Sequence, residues 1–321
     1  MLSGNIKLYS LPTDILDKIC YENDLDNTKL ALLIMAHKSF HEFIMIKYKK
    51  LYLSSLQELQ LNINGYRNIY EIDIYNCLGI IDTYIFEKCK ILKLRCCHNI
   101  TDVSKLGNVE YLDLAYCSEI TNVSMLGKCK YLDLSNCNKI TNVNNLGNVE
   151  HLDLSYCYKL TNISKLGNHK YLSLRGCNKI ENINNLGKIH KLDLSYCENI
   201  RNISPLKNVY DLDISYCNFI NIKEQMNNTN LKIIKSGLIQ SDIAFLKNIK
   251  NMNIKNSIYI YDLSALNNIE VLDIRGCKNI KILPKINKLE KLYLSTNLYN
   301  INYIHNQLKN IKCEINIDYF Y

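Results

Sequence analysis

Eight cysteines follow one another at intervals of 20 residues: Cys77, Cys97, Cys117, Cys137, Cys157, Cys177, Cys197 and Cys217. Cys277 rejoins the phase three periods later. The residues between them repeat as well. "YLDLAYCSEITNVSMLGKCK", "YLDLSNCNKITNVNNLGNVE" and "HLDLSYCYKLTNISKLGNHK" run back to back from Tyr111 to Lys170. One such unit cannot fold alone, because the apolar surface it buries by itself does not offset the entropy of ordering its residues. Units of this kind are stable only when stacked, each covering its neighbour, so the chain must form a solenoid.

Within the unit from Tyr111 to Lys130, Leu112 and Leu114 alternate with Tyr111, Asp113 and Ala115, the period of a short strand with one buried face. Cys117, Ile120, Val123 and Leu126 then follow at intervals of three. That spacing suits extended or 3₁₀ turns and leaves too few residues for an α-helix. Gly127, like Gly107, Gly147, Gly167 and Gly187, falls where the chain bends back toward the next strand. The phase runs from Ile72 and Ile74 to Leu292 and Leu294, giving about 12 units. It weakens where Lys232 and Met252 stand at the first leucine position and Gly237 and Ser257 at the cysteine position.

The cysteine column invites a redox or metal reading, and geometry argues against it. Stacked positions lie one strand spacing apart with parallel Cβ vectors, and a structural zinc site wants paired short spacings that only Cys96–Cys97 approaches. The expectation is a core of small buried thiols whose S–H groups point at the backbone of the turn, with no metal and no cofactor. The opening "MLSGNIKLYSLPTDIL" has no basic stretch followed by an apolar one, so no signal peptide is read there. The apolar run "LALLIMA" is far short of the ~20 residues that span a bilayer, so no membrane partner is expected. With 14 cysteines, this points to a soluble protein of a reducing, cytoplasmic compartment, in which the sequons at Asn99, Asn122, Asn162, Asn202 and Asn227 go unused.

The net charge of +8 is carried by lysines dispersed through the repeats, without the basic face that a nucleic-acid partner requires. The abundance of Lys over Arg, the 44 asparagines and the lack of Trp follow the codon bias of an AT-rich genome, so the asparagines are not read as functional.

"LDLSYCENI" and "LDLSNCNKIT" resemble the leucine-rich repeat, whose strand motif is L-x-L followed by Asn or Cys three residues on. They look most like its cysteine-containing subclass, and "NISPLKNV" at residues 202–209 is similar to the short bacterial-type units. The resemblance covers residues 60–312 and implies an α/β solenoid. In it, a horseshoe of short parallel strands lines the concave face and the units are capped N-terminally by a small helical module. At 20 residues the unit is shorter than in the eukaryotic subclass, so full convex helices are not expected.

Residues 1–50 do not carry the repeat. Leu11, Ile15, Leu16 and Ile19 fall on one helical face, Pro12 suits a first helical turn and Asp14 the positive end of the dipole. "LPTDILDKI" resembles the opening of an F-box, and "LALLIMAHKSFHEFI" its apolar second half. The resemblance implies docking of a Skp-type adaptor of a cullin–RING ubiquitin ligase through Leu11, Pro12, Ile15, Leu16 and Ile19. The expected organisation is an F-box-like module and cap at 1–50, a transition at 51–70, the solenoid at 71–312 and a C-terminal cap at 313–321. As a whole, the chain resembles F-box/leucine-rich-repeat proteins of AT-rich protists or giant DNA viruses.

If the leucines face inward, the intervening residues line the concave face. They include Tyr111, Asp113, Tyr116, Tyr131, Asp133, Asp153, Tyr156, Tyr171, Asp193, Tyr196, Asp213 and Tyr216. In "YLSLRGC" Ser173 breaks the aspartate column and Arg175 appears, placed to pair with Asp153 or Asp193. Two readings stand side by side: an acidic, aromatic-lined trough for a basic or mixed-charge protein segment, or a strand consensus whose aspartates bond to nearby backbone. No nucleophile elbow, phosphate loop, dinucleotide fingerprint or metalloprotease motif is present, and the histidines share no ligand spacing. An open solenoid face also lacks the water-excluding pocket that acid–base chemistry needs, so no enzyme is expected. The leading expectation is a non-catalytic substrate receptor of a ubiquitin ligase; the alternative is a leucine-rich-repeat interaction scaffold.

Overall fold

The computed structural model describes residues 50–54, 71–76, 83–284, 288–295 and 314–318. The F-box-like segment with Leu11, Pro12, Ile15, Leu16 and Ile19 lies outside the described residues, as does Cys77. The chain divides into two compact units, Met1–Val149 and Glu150–Tyr321.

The first unit holds strands β1 (Lys50–Ser54), β2 (Glu71–Tyr75), β3 (Ile91–Arg95), β4 (Tyr111–Asp113) and β5 (Tyr131–Asp133), paired in parallel and in chain order. The second continues the same way. It runs through β6 (His151–Asp153), β7 (Tyr171–Ser173), β8 (Lys191–Asp193), β9 (Asp211–Asp213), β10 (Asn230–Lys232), β11 (Asn251–Asn253), β12 (Val271–Asp273), β13 (Lys291–Ser295) and β14 (Glu314–Asp318). Leucine faces leucine across each regular pair, as in Leu92, Leu112 and Leu132 or Leu172, Leu192 and Leu212. Strictly parallel pairing at one strand per repeat, with short 3₁₀ turns such as Ser124–Leu126 and Ser204–Leu206 on the return, is the leucine-rich-repeat solenoid.

The inward column is a dry core. Leu112, Leu114, Cys117, Ile120, Val123 and Leu126 are all fully buried, and so are their counterparts in the neighbouring repeats. The cysteines tie one repeat to the one before. The Cys117 thiol donates to the Leu94 carbonyl at 2.9 Å, Cys137 to Leu114 at 3.2 Å, Cys177 to Leu154 at 3.1 Å and Cys197 to Leu174 at 3.0 Å. The acceptor therefore belongs to the preceding strand and not to the cysteine's own turn. Burial pushes Cys177, Cys217 and Cys277 up to about 12, so they remain neutral donors.

The turn glycines have a different cause from the one expected. Gly107 and Gly127 have ordinary right-handed φ of −62° and −66°. What excludes a side chain is the next repeat: a Cβ would lie 2.6 Å from the Met125 carbonyl oxygen at Gly107 and 2.2 Å from that of Asn145 at Gly127. Close approach, not bending, selects glycine here. Asparagines also do structural work in these turns. Asn122, Asn162 and Asn202 accept the backbone N–H of Ser124, Ser164 and Ser204, each at 3.0 Å, so these sequons are Asx turns, and those at Asn122 and Asn202 open 3₁₀ segments.

The phase break near residue 232 is a one-residue slip. Leu231 and not Lys232 pairs with Leu212, so the leucine position is filled after all. Lys232 is thereby turned onto the exposed face, where its Nζ meets Asp213 at 2.7 Å.

Candidate protein-binding face

The aspartate column bonds first to its own backbone. Oδ1 of Asp113, Asp133, Asp153, Asp193, Asp213 and Asp273 each accepts the N–H two residues on, at 2.7–3.1 Å. Each is an Asx turn that ends its strand. Basic side chains then offset several of these charges: Arg95 lies 3.7 Å from Asp113, Lys232 2.7 Å from Asp213 and Arg275 2.7 Å from Asp273. The second of the two sequence readings describes the Oδ1 contacts of this column, and basic side chains meet three of its six carboxylates. The carboxylates are needed to close turns.

The chain leaves each Asx turn through a left-handed residue. Asn76, Asn136 and Asn256 take this place with φ of 53°, 61° and 63°, and Gly176 and Gly276 with 69° and 73°. Asparagine and glycine enter this region at low cost. Tyr116, Tyr156, Tyr196 and Tyr216 also occupy it, with φ of 60–63°. A bulky residue there costs roughly 1–2 kcal/mol. The preceding position is more buried than the strand alternation predicts, and Ser155, Ser195 and Ser215 lie beneath the face.

In the first unit, the rings of Tyr111 and Tyr131 stack in parallel at 4.1 Å, with the Lys93 ammonium 5.9 Å from the Tyr111 ring. Asp113 is only 8 % exposed. Burial raises its pKa to about 6, with Asp133 and Asp73 adding to the rise; the Ala115 N–H and Arg95 oppose it. Tyr116 stands clear of the core, 52 % exposed.

In the second unit, Arg175 is built into the tyrosine column. Gly176 leaves a slot there, and the Tyr156 ring leans over it so closely that a Cβ would sit 2.5 Å away. The Arg175 guanidinium lies 4.5 Å from the Tyr196 ring centre, and Tyr196 stacks on Tyr216 at 4.3 Å. Arg175 Nε donates to the Tyr156 hydroxyl at 2.8 Å and Nη1 to Ser195 Oγ at 3.0 Å. The expected pairing of Arg175 with an aspartate thus gives way to hydroxyl partners, and Asp193 acts on it through charge. Next to this stack, His151 and Tyr171 stack loosely at 6.4 Å. Sequence reasoning missed Ser195 and Gly176. The signal was available, because "RGC" replaces "SYC" in this unit.

Among the described residues no three His, Cys, Asp or Glu side chains cluster as metal ligands, and no helix is long and apolar enough to cross a membrane.

No protein-family signature matches the chain, and no curated protein matches it. Among solved structures, an internalin (InlF) from Listeria monocytogenes is 18 % identical, with 91 % of this chain and 94 % of that one covered and a TM-score of 0.49. The functional domain of InlJ from Listeria monocytogenes, which includes a cysteine ladder, is 15 % identical over 80 % of this chain and 64 % of that one, with a TM-score of 0.49. A leucine-rich-repeat protein of Leptospira interrogans is 15 % identical over 85 % and 96 %, with a TM-score of 0.44.

Proposed function

We propose that this solenoid is a non-catalytic protein-binding scaffold whose tyrosine column holds a mixed-charge segment of a partner protein. The observation that carries the reading is a backbone strain found in each unit, at Tyr116 in the first and at Tyr156, Tyr196 and Tyr216 in the second. Asparagine, glycine, Cys96 and Lys235 fill the same position in other repeats, so the fold does not require an aromatic there. Strain that the fold does not need is a mark of function, and tyrosine is a favoured interface anchor. Both signs of charge flank the column, with Lys191 3.2 Å from Asp211 and Lys232 beside Asp213, which suits a mixed-charge ligand.

In its finer form the reading is a substrate receptor: Leu11, Pro12, Ile15, Leu16 and Ile19 dock a Skp-type adaptor, and the solenoid presents the target to a cullin–RING ligase in the cytoplasm. The F-box resemblance of that segment supports it, and the free buried thiols suit a reducing compartment.

Two experiments test the levels separately. A photo-crosslinking residue at Tyr216 should capture a protein from cytosol that the same residue at Lys159 does not, and Tyr196→Ala should abolish the capture. Equal capture at both positions would remove the tyrosine column from the reading. A recombinant Skp-type adaptor should co-purify with the chain and be lost on Leu11→Ala/Pro12→Ala; no co-purification leaves the plain scaffold.

A further inference from the structure

The position two residues after each cysteine position lies on the edge of the solenoid and is polar in most repeats. Asn99, Glu119 and Lys139 occupy it in the first unit, and Lys159, Lys179 and Asn199 in the second. In the later repeats Phe219 and Tyr259 stand at this position, 60 and 61 % exposed, and in the repeat shifted by the slip at Leu231 the exposed residue is Ile239, one place further on, at 49 %. Ile258, Tyr261 and Ile282, each 42–51 % exposed, extend the same stretch.

Backbone contacts make the patch continuous. The Gly237 N–H reaches the Cys217 carbonyl, and a Cβ on Gly237 would lie 3.6 Å from the Phe219 nitrogen, so the backbone leading to Ile239 runs against the backbone of Phe219. The Gln240 side chain accepts the N–H groups of Tyr261 and Asp262 at 2.9 Å each. Ile282 N–H bonds the Tyr261 carbonyl at 3.1 Å. A contiguous apolar surface on an otherwise polar edge marks an interaction site.

The rim decides what fits. Arg201 lies over the Phe219 ring at 4.2 Å, and Lys278 and Lys281 are exposed beside Tyr259 and Tyr261. The acidic group within the patch, Asp262, spends Oδ1 on the Ser264 N–H at 2.8 Å. A second copy meeting this patch about a two-fold axis would bring these cations against one another. We infer that this edge docks an amphipathic segment of a partner protein that offers apolar side chains to Phe219, Ile239 and Tyr259 and carboxylates to Arg201, Lys278 and Lys281. The site is separate from the tyrosine column.

The test uses the full chain and a displayed library of random dodecapeptides. Wild type should enrich peptides that combine apolar residues with Asp or Glu. Their affinity should fall at least tenfold for Phe219→Lys/Tyr259→Lys, which places at these positions the residue found at Lys139, Lys159 and Lys179. The same peptides should bind less tightly as salt rises. An unchanged circular dichroism spectrum and Tm would show that the variant is folded. Tyr156→Ala/Tyr196→Ala, run in parallel, should retain these peptides; loss in that variant alone would assign them to the concave face. Enrichment without acids, equal binding to the edge variant, or no enrichment at all would overturn the inference and leave the concave reading standing. So would a wild-type dimer, seen by sedimentation, that the edge variant lacks.

Discussion

Arg175 and Arg275 sit at the same place in two repeats built on the same Arg-Gly-Cys triplet. In the later repeat, Asp273 lies two residues before the arginine and takes its guanidinium in a two-point pair, 2.9 Å to Nε and 2.7 Å to Nη2. In the earlier one, the residue two before is Ser173, whose hydroxyl is engaged with Ser155 Oγ at 2.7 Å. Arg175 therefore reaches outward, to Tyr156, Ser195 and the face of Tyr196. One side chain on the strand decides whether an arginine closes its own repeat or organises the aromatic column. Arg95 is an intermediate case, placed 3.1 Å from Asp73 and 3.7 Å from Asp113 and so shared between two carboxylates.

The contrast can be broken from several sides. The largest effect is expected for Asp273→Ser, which removes both the turn acceptor and the partner of a half-buried cation. It should cost about 3 kcal/mol in urea unfolding, because the arginine loses the carboxylate that takes its Nε and Nη2 donors. Next is Asp113→Asn, which tests the shared arginine. The Asp113 pKa of about 6 lies above the ordinary value of ~3.9, so the folded chain holds this proton more tightly than the unfolded one. Its contribution to stability is present below about pH 4 and is lost as pH rises through about 6. Asp113→Asn keeps the Oδ1 acceptor for Ala115, so it should remove that loss. The variant should then be about 2 kcal/mol more stable than wild type at pH 7.5 and level with it at pH 4.

Ser173→Asp converts the first arginine into the second kind. Stability should change by less than about 1 kcal/mol, since a pair is gained and hydroxyl bonds are lost. Affinity for a concave-face partner should fall about tenfold, measured by titration calorimetry, because the Tyr156–Arg175–Tyr196 stack loses its centre. The smallest effect has the opposite sign. Tyr116→Asn puts into a strained position the residue that Asn136 already supplies there, so it should raise stability by about 0.5–1 kcal/mol while weakening partner binding. A Tyr116→Asn chain that is both less stable and unimpaired in binding would contradict the functional account of the strain.

Much of the fold was legible because a repeat states its core many times over. The leucine alternation and the three-residue spacing gave the strands and 3₁₀ turns, and the cysteine phase gave the inward direction. The slip at Lys232 was hidden because counting by 20 assumes a constant unit, whereas Leu231 fills the core one residue early. The face was only half legible. The column carrying Asp113, Asp193 and Asp213 was found, but its commitment to turns is a matter of hydrogen-bond geometry. The edge from Phe219 to Ile282 could have been read from the same columns, since lysines and asparagines there give way to Phe, Ile and Tyr.

The sequence by itself determined the solenoid, since 20-residue units with one apolar face can be stable only by stacking. It also determined that the cysteines belong to the core. Only the tertiary structure decided how each polar column is used, because the partners come from adjacent repeats 20 or so residues away. The Cys117 thiol meets a carbonyl of the preceding strand, and glycine at 127 answers to a carbonyl oxygen of the next repeat. The same Arg-Gly-Cys triplet likewise has two outcomes, depending on whether a carboxylate or a hydroxyl stands beside the arginine on the folded strand.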